Sequence, residues 1–133
     1  MATRQKYDDC PYTGDHACAV EAFLDVLGGR WKGMILFHLL PGTRRFGELK
    51  KLLPHVTQRM LTNQLRELEK DGVVSRKVYA EVPPRVEYTL TELGESLRAP
   101  IIALGNWAQA NWKQIEAARE RYDGSGVSEE AST

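Results

Sequence analysis

Five side chains between residues 57 and 71, Arg59, Thr62, Asn63, Arg66 and Lys70, are of the types that read a nucleic acid. An arginine fork matches the O6 and N7 acceptors of guanine, an asparagine amide matches adenine, threonine reaches either, and lysine neutralises phosphate. Spacing decides whether they act together. On a helix advancing about 100° per residue, with Leu61 as origin, Thr62 lies near 100°, Arg66 near 140°, Arg59 near 160°, Lys70 near 180° and Asn63 near 200°. No carboxylate interrupts this stripe, because Glu67 and Glu69 fall on its flanks. The opposite side carries Leu61, Leu65 and Leu68 at the i, i+4, i+7 spacing of a face turned to a core. Taken alone, such a stripe is more often a solvated helix surface, so the surrounding elements must overturn that reading.

Those elements begin with the helix itself. Thr57 is placed to cap it, its hydroxyl accepting from first-turn N–H groups, and Gly72 is placed to stop it. Upstream, a helix is predicted from Ala17 to Leu27 with Val20, Phe23, Leu24 and Leu27 on one face, ended by Gly28 and Gly29. The apolar run RWKGMILFHLL is predicted as a buried helix closed by Pro41 and Gly42. RFGELKKLLP predicts a short helix with Phe46, Leu49, Leu52 and Leu53 inward and Lys50 and Lys51 outward, stopped by Pro54. A brief HVT link then joins it to the polar-striped helix, the arrangement of a helix-turn-helix. Beyond Gly72, VVSRKVYAEVPPRVEYTL has β-rich composition on both sides of VPPR, which predicts a two-stranded hairpin turning at Pro83 and Pro84 with Arg85 at its tip. From Thr91, a cap followed by Glu92 and Glu95, a long helix is predicted to about Tyr122, kinked or restarted at Pro100. Residues 1–16 read as a flexible arm, 17–122 as one DNA-binding domain with its C-terminal dimerisation helix, and 123–133 as a disordered tail.

Composition narrows the function classes. The chain has 133 residues, enough for one domain and its core. No stretch approaches the ~20 apolar residues of a membrane span, and MATRQKYDDC offers no export signal, so a cytoplasmic location without membrane contact is expected. The formal net charge is zero, yet it is unevenly spread: residues 1–29 carry −3, residues 30–85 carry +7 and residues 86–133 carry −4. The basic block contains the polar stripe, which is the electrostatic footprint of a nucleic-acid site. There is no Ser/His/Asp or Cys/His grouping, no glycine-rich phosphate loop, and only 3 histidines, widely separated, so no enzyme activity and no cofactor is expected. Trp31 and His38, inside apolar sequence, read as core residues. His55 reads equally as a loop residue or a phosphate contact, and so do Arg44 and Arg45 beside the start of the third helix.

The phrases VLGGRWKGMILFHLL, RRFGELKKLLP, TQRMLTNQLRELEKDG and EVPPRVEYTLTELG, in this order, resemble the HxlR family of bacterial transcription regulators, relatives of the MarR-type repressors. The resemblance runs from about Cys18 to Trp107. It implies a mainly α winged helix-turn-helix fold with a small β-hairpin wing, and a homodimer, formed through terminal helices, that binds a roughly palindromic double-stranded DNA operator. It places the recognition helix at residues 57–71, with Thr57, Gln58, Arg59, Thr62, Asn63 and Arg66 as base and phosphate readers, and the wing tip at Pro83, Pro84 and Arg85. Arg44, Arg45, Lys50 and Lys51 are the accompanying candidates for backbone contact. The family also implies a repressor, with a cysteine at the start of the first helix that responds to a small electrophile or an oxidant; alignment to the GG before Trp31 makes Cys18 that thiol. Here Ala19 follows it rather than proline, and the Cys-Pro pair stands earlier, at Cys10 and Pro11. Independently of any relative, a thiol in the first turn of a helix feels the positive end of the dipole, which favours thiolate. An inert small residue is the competing reading of Cys18, and Cys10 is the candidate partner for a disulfide. Cys10, His16 and Cys18 can be read as a partial zinc site, but with irregular spacing and no fourth ligand nearby that is the disfavoured reading and no metal is expected. The rival to a DNA-binding regulator is a winged helix serving as a protein-interaction module, whose mark would be acids on the stripe.

Overall fold

The computed structural model describes residues 16–124 of the chain, with side chains from residue 19 onward. The elements are α1 (His16–Leu27), α2 (Lys32–Leu39), β1 (Arg44–Arg45), α3 (Phe46–Leu52), α4 (Gln58–Lys70), β2 (Val74–Tyr79), β3 (Arg85–Leu90), α5 (Glu92–Glu95) and α6 (Arg98–Gly124). They fall into two compact units that divide after Arg98, a winged-helix body and the helix beyond it.

The core of the first unit is built where the leucine spacing put it. Ile35, Leu36 and Leu39 of α2, Leu49 and Leu53 around α3, and Leu61, Leu65 and Leu68 of α4 are fully enclosed. Val56 plugs the turn between α3 and α4, where its N–H donates to Leu53 O at 3.1 Å. Trp31 is buried at the start of α2, as its apolar setting predicts. The third helix departs from expectation in part: Leu49 and Leu53 are enclosed, but Leu52 is 39% exposed and Phe46 only half-buried. The α1 face also differs, with Val20 57% and Leu24 56% exposed in the single chain.

The sheet has three strands, in the order β1-β3-β2, all antiparallel, rather than the two of a simple hairpin. Arg44 and Arg45 form the extra strand, opposite Tyr88 and Glu87. Two arginines have no alternation of apolar and polar residues, which is why the sequence pattern conceals them. The β2–β3 register runs from Val74 opposite Leu90 to Tyr79 opposite Arg85.

The end of α4 and the base of the wing share one joint. Gly72 adopts φ +80°, its N–H donates to Glu69 O at 3.0 Å, and the Val73 N–H reaches back to Leu68 O at 3.2 Å. This pair of bonds closes the helix with a glycine in the left-handed region. The Thr91 hydroxyl donates to Gly72 O at 2.6 Å and accepts from Gly94 N at 3.0 Å, so one side chain ties the helix end, the wing and α5 together. Gly94 packs so close that a Cβ there would stand 2.0 Å from Val73 O.

The single long helix predicted from Thr91 is two helices. Thr91 caps the short α5, and α6 starts anew at Arg98. Pro100 is accommodated as a restart: it is the third residue of α6, in the turn whose N–H groups need no intrahelical acceptor. The helix runs to Gly124, so Asp123 and Gly124 belong to it rather than to a tail. The remainder of the tail and the arm up to residue 15 lie outside the described residues.

Candidate nucleic-acid interface

Helix α4 presents its stripe outward. The Thr57 hydroxyl accepts from Met60 N at 3.1 Å and fixes the first turn. Thr57, Gln58, Arg59, Asn63, Arg66 and Lys70 are exposed; Thr62 is half-buried, and its hydroxyl donates to Gln58 O at 2.8 Å. Thr62 is therefore free to accept, but its proton is already engaged within the helix.

The two acids on the flanks are each met by a cation from another element. Glu67 Oε1 accepts from Lys32 Nζ at 2.6 Å, and Glu69 Oε1 accepts from Arg76 Nε at 3.3 Å. Lys32, on α2, is the buried charged residue of the described core, and Arg76 lies on β2. Neither was singled out by the sequence pattern. An apolar helix containing one lysine is the signal that could have pointed to Lys32, since a buried ammonium demands a partner.

Arg44 and Arg45 have separate tasks. Arg44 Nε donates to His38 O at 2.7 Å, closing the end of α2, while Arg45 is exposed and its backbone N–H donates to Glu48 Oε1 at 2.8 Å. Burial, then the Arg44 charge, lowers the His38 pKa below its ordinary value, in keeping with a packed histidine. Lys50 is half-buried and Lys51 exposed on α3; His55 is exposed in the turn.

The wing corrects the reading of Arg85. It is the first residue of β3 and not the free tip of the turn; the tip is formed by residues 80–84, with Val82 fully exposed and the Val82–Pro83 peptide cis. The Arg85 guanidinium lies 4.0 Å from the Tyr79 ring centroid, with Nε 3.5 Å from Glu87 Oε2 and 3.8 Å from Glu81 Oε1. Register explains this capture: Tyr79 is the direct cross-strand partner of Arg85, and Glu87 shares its face two residues along. Lys77 Nζ stands 4.9 Å from the same ring centroid.

Cys10 and the side chain of Cys18 lie outside the described residues; the backbone puts Cys18 third in α1. Among the described residues no cluster of His, Cys, Asp or Glu could hold a metal ion, and no helix is long and apolar enough to cross a membrane.

A helix-turn-helix with an exposed basic face, followed by a hairpin whose strands complete a three-stranded sheet with β1, is an arrangement shared with known proteins. The model of the HxlR-like helix-turn-helix family matches residues 26–116. The HTH-type transcriptional regulator YdeP of Bacillus subtilis is 50% identical over 117 residues, covering 84% of this chain and 91% of that protein. A regulator from Methanothermobacter thermautotrophicus is 43% identical over 116 residues, covering 83% and 88% of the two chains. Among solved structures, the redox regulator HypR in its reduced form superposes with a TM-score of 0.72 at 48% identity, covering 74% of this chain and 98% of that one. With fold, motif order and sequence in agreement, the chain belongs to the HxlR-like helix-turn-helix family and is a DNA-binding transcription regulator.

Proposed function

We propose that this regulator acts as a homodimeric, cytoplasmic repressor that inserts α4 of each protomer into successive major grooves of a palindromic operator. The observation that carries the reading is the charge layout of α4: Arg59, Asn63, Arg66 and Lys70 are exposed, while both bordering acids are held by Lys32 and Arg76. Arg59, Arg66 and Asn63 read base edges, Thr57, Gln58 and Thr62 support them, and Arg45, Lys50, Lys51 and Arg85 contact the backbone. Arg44 is engaged with His38 O and contributes charge only. The protein works by binding and not by catalysis.

Dimerisation is supported by apolar surface that neither unit covers by itself: Val20 and Leu24 on α1, and Leu104, Trp107 and Trp112 on α6. Half-sites about 34 Å apart require two recognition helices in fixed register. The resemblance to a redox regulator at 48% identity supports a thiol input, with Cys18 at the first turn of α1 as the responsive residue and Cys10 as its candidate partner. Modification there would turn the two recognition helices relative to each other and lose that register.

The test is a fluorescence-anisotropy titration of the chain's own upstream region against a random duplex of equal length. Preference for the former, lost in Arg66→Ala, is the expected result; equal binding to both duplexes would remove the reading. Sedimentation checks the dimer, and thiol mapping after diamide treatment of parent, Cys18→Ser and Cys10→Ser checks the sensor.

A further inference from the structure

Lys32 stands where two physical effects oppose a cation. It is the first residue of α2, at the positive end of the helix dipole, and it is only 7% exposed. Burying an ammonium costs free energy unless it is paired and hydrogen-bonded, and a buried pair is itself a poor source of stability compared with apolar packing. Stability therefore does not explain a lysine here, inside a helix whose other inward residues are Ile35, Leu36 and Leu39.

Its partner supplies the explanation. Glu67 lies about 40° beyond Asn63 on the α4 circumference, one turn along from it, and directly follows Arg66. Its carboxylate thus borders the reading face, and its side chain is 45% exposed. Unpaired, it would face the phosphates of a duplex seated on α4 and repel them at close range. Lys32 Nζ at 2.6 Å from Oε1 answers that charge from below, from a site that the duplex cannot reach.

We propose that Lys32 is a positioning residue for DNA binding: its buried ammonium holds the Glu67 carboxylate against α2 and cancels its charge at the edge of the reading face. Lys32 makes no DNA contact of its own. Glu69 and Arg76 perform the same cancellation on the other flank, but with both side chains substantially exposed, so that pair is the weaker of the two. The proposal rests on the reading of α4 as the DNA-facing helix.

The experiment compares the parent, Lys32→Met, Lys32→Met/Glu67→Gln and Arg66→Ala in the full chain, using a duplex selected by the parent from a random-sequence pool. Methionine fills the lysine volume, and Glu67, being half-exposed, is not stranded in the core by the change. Lys32→Met is expected to bind about tenfold more weakly, as an uncompensated charge beside a polyanion should. Adding Glu67→Gln should return affinity to within about twofold of the parent, since the offending charge is gone; this rescue is something a merely structural lysine would not give. Should Lys32→Met fail to fold by circular dichroism, Lys32→Gln, which keeps a polar head without the charge, replaces it in the same cycle. Unchanged affinity in the folded single variant, or a double variant as weak as the single, would overturn the proposal. Arg66→Ala binding like the parent would instead overturn the assignment of α4, so the two failures are distinguishable.

Discussion

Helix α4 and the wing carry the same kind of charge and handle it in opposite ways. On α4 the cations are exposed and the acids are taken up: Arg59, Arg66 and Lys70 face outward, while Glu67 and Glu69 pair with Lys32 and Arg76 from neighbouring elements. On the wing the cation is the one taken up, for Arg85 is stacked on Tyr79 and lies beside Glu81 and Glu87. On the proposed reading, α4 is thus preorganised for DNA: among the described residues no ion pair engages Arg59, Arg66 or Lys70, so none need be broken there to reach a base. On the proposed reading, the wing exchanges carboxylates for phosphates, a near-balanced trade that adds little affinity and much dependence on salt. Sequence preference should accordingly reside in α4, and general affinity in part on the wing.

The comparison is broken most severely at the joint that both regions share. Gly94→Ala would force a Cβ to within 2.0 Å of Val73 O, a backbone atom that can retreat only by moving the wing base and the end of α4. We expect a loss of about 2–4 kcal/mol of stability. A thermal melt by circular dichroism should move down by roughly 10 °C or more. A melt coincident with that of the parent would mean that helix and wing are not mechanically joined there.

Next in size is the helix. Arg59→Ala and Arg66→Ala should each weaken binding to a selected duplex by about 1–3 kcal/mol if the side chain reads a base. Binding to random DNA should change far less, and the melt should stay put, because neither residue lies on the leucine face. Equal losses on selected and random duplexes would reduce these arginines to phosphate contacts and erase the contrast with the wing.

Much of this was legible in the sequence, and the parts that were not share a cause. The leucine spacing of α4, the cap at Thr57, the stop at Gly72 and the break near Pro100 are local signals, and each has its counterpart in the structure. The strand at Arg44–Arg45 is recognisable only through its pairing with β3, which lies some forty residues away in the chain. Lys32 and Glu67 are likewise 35 residues apart, and nothing in either neighbourhood announces the other. Arg85 misled for a related reason: VPPR marks a turn, but cross-strand register, and not the turn, decides which side chains face the guanidinium. Local pattern thus located the exposed polar face of α4, while the electrostatic state of that face depended on tertiary partners. The thiol stands apart, since Cys10 and the Cys18 side chain lie outside the described residues.

Removing the wing cation gives a smaller effect of a different kind. Arg85→Ala should lower affinity for selected and random duplexes alike and reduce the slope of log K against log salt by about one. An unchanged slope, measured between low and physiological salt, would show that Arg85 stays with its carboxylates in the complex.

The smallest effect tests the capture itself, and it has the opposite sign. Glu81 is the looser of the two wing acids, 3.8 Å from Arg85 Nε with about half its side chain exposed, whereas Glu87 is nearer and more covered. Exposed pairs of this sort hold their cation by roughly 0–1 kcal/mol, so releasing Arg85 by Glu81→Gln should tighten DNA binding by no more than a few-fold. A gain of that size could also arise simply because one negative charge has left a surface that approaches DNA. The two origins separate in a cycle with Arg85→Ala. If Glu81 acts by detaining Arg85, Glu81→Gln improves affinity in the parent and does nothing once Arg85 is absent. If it acts by bulk repulsion, the gain persists in the Arg85→Ala background. Anisotropy titrations on one random duplex at fixed salt suffice, because neither origin requires a particular sequence, and a gain that survives the loss of Arg85 would dismiss the captured wing as a functional device.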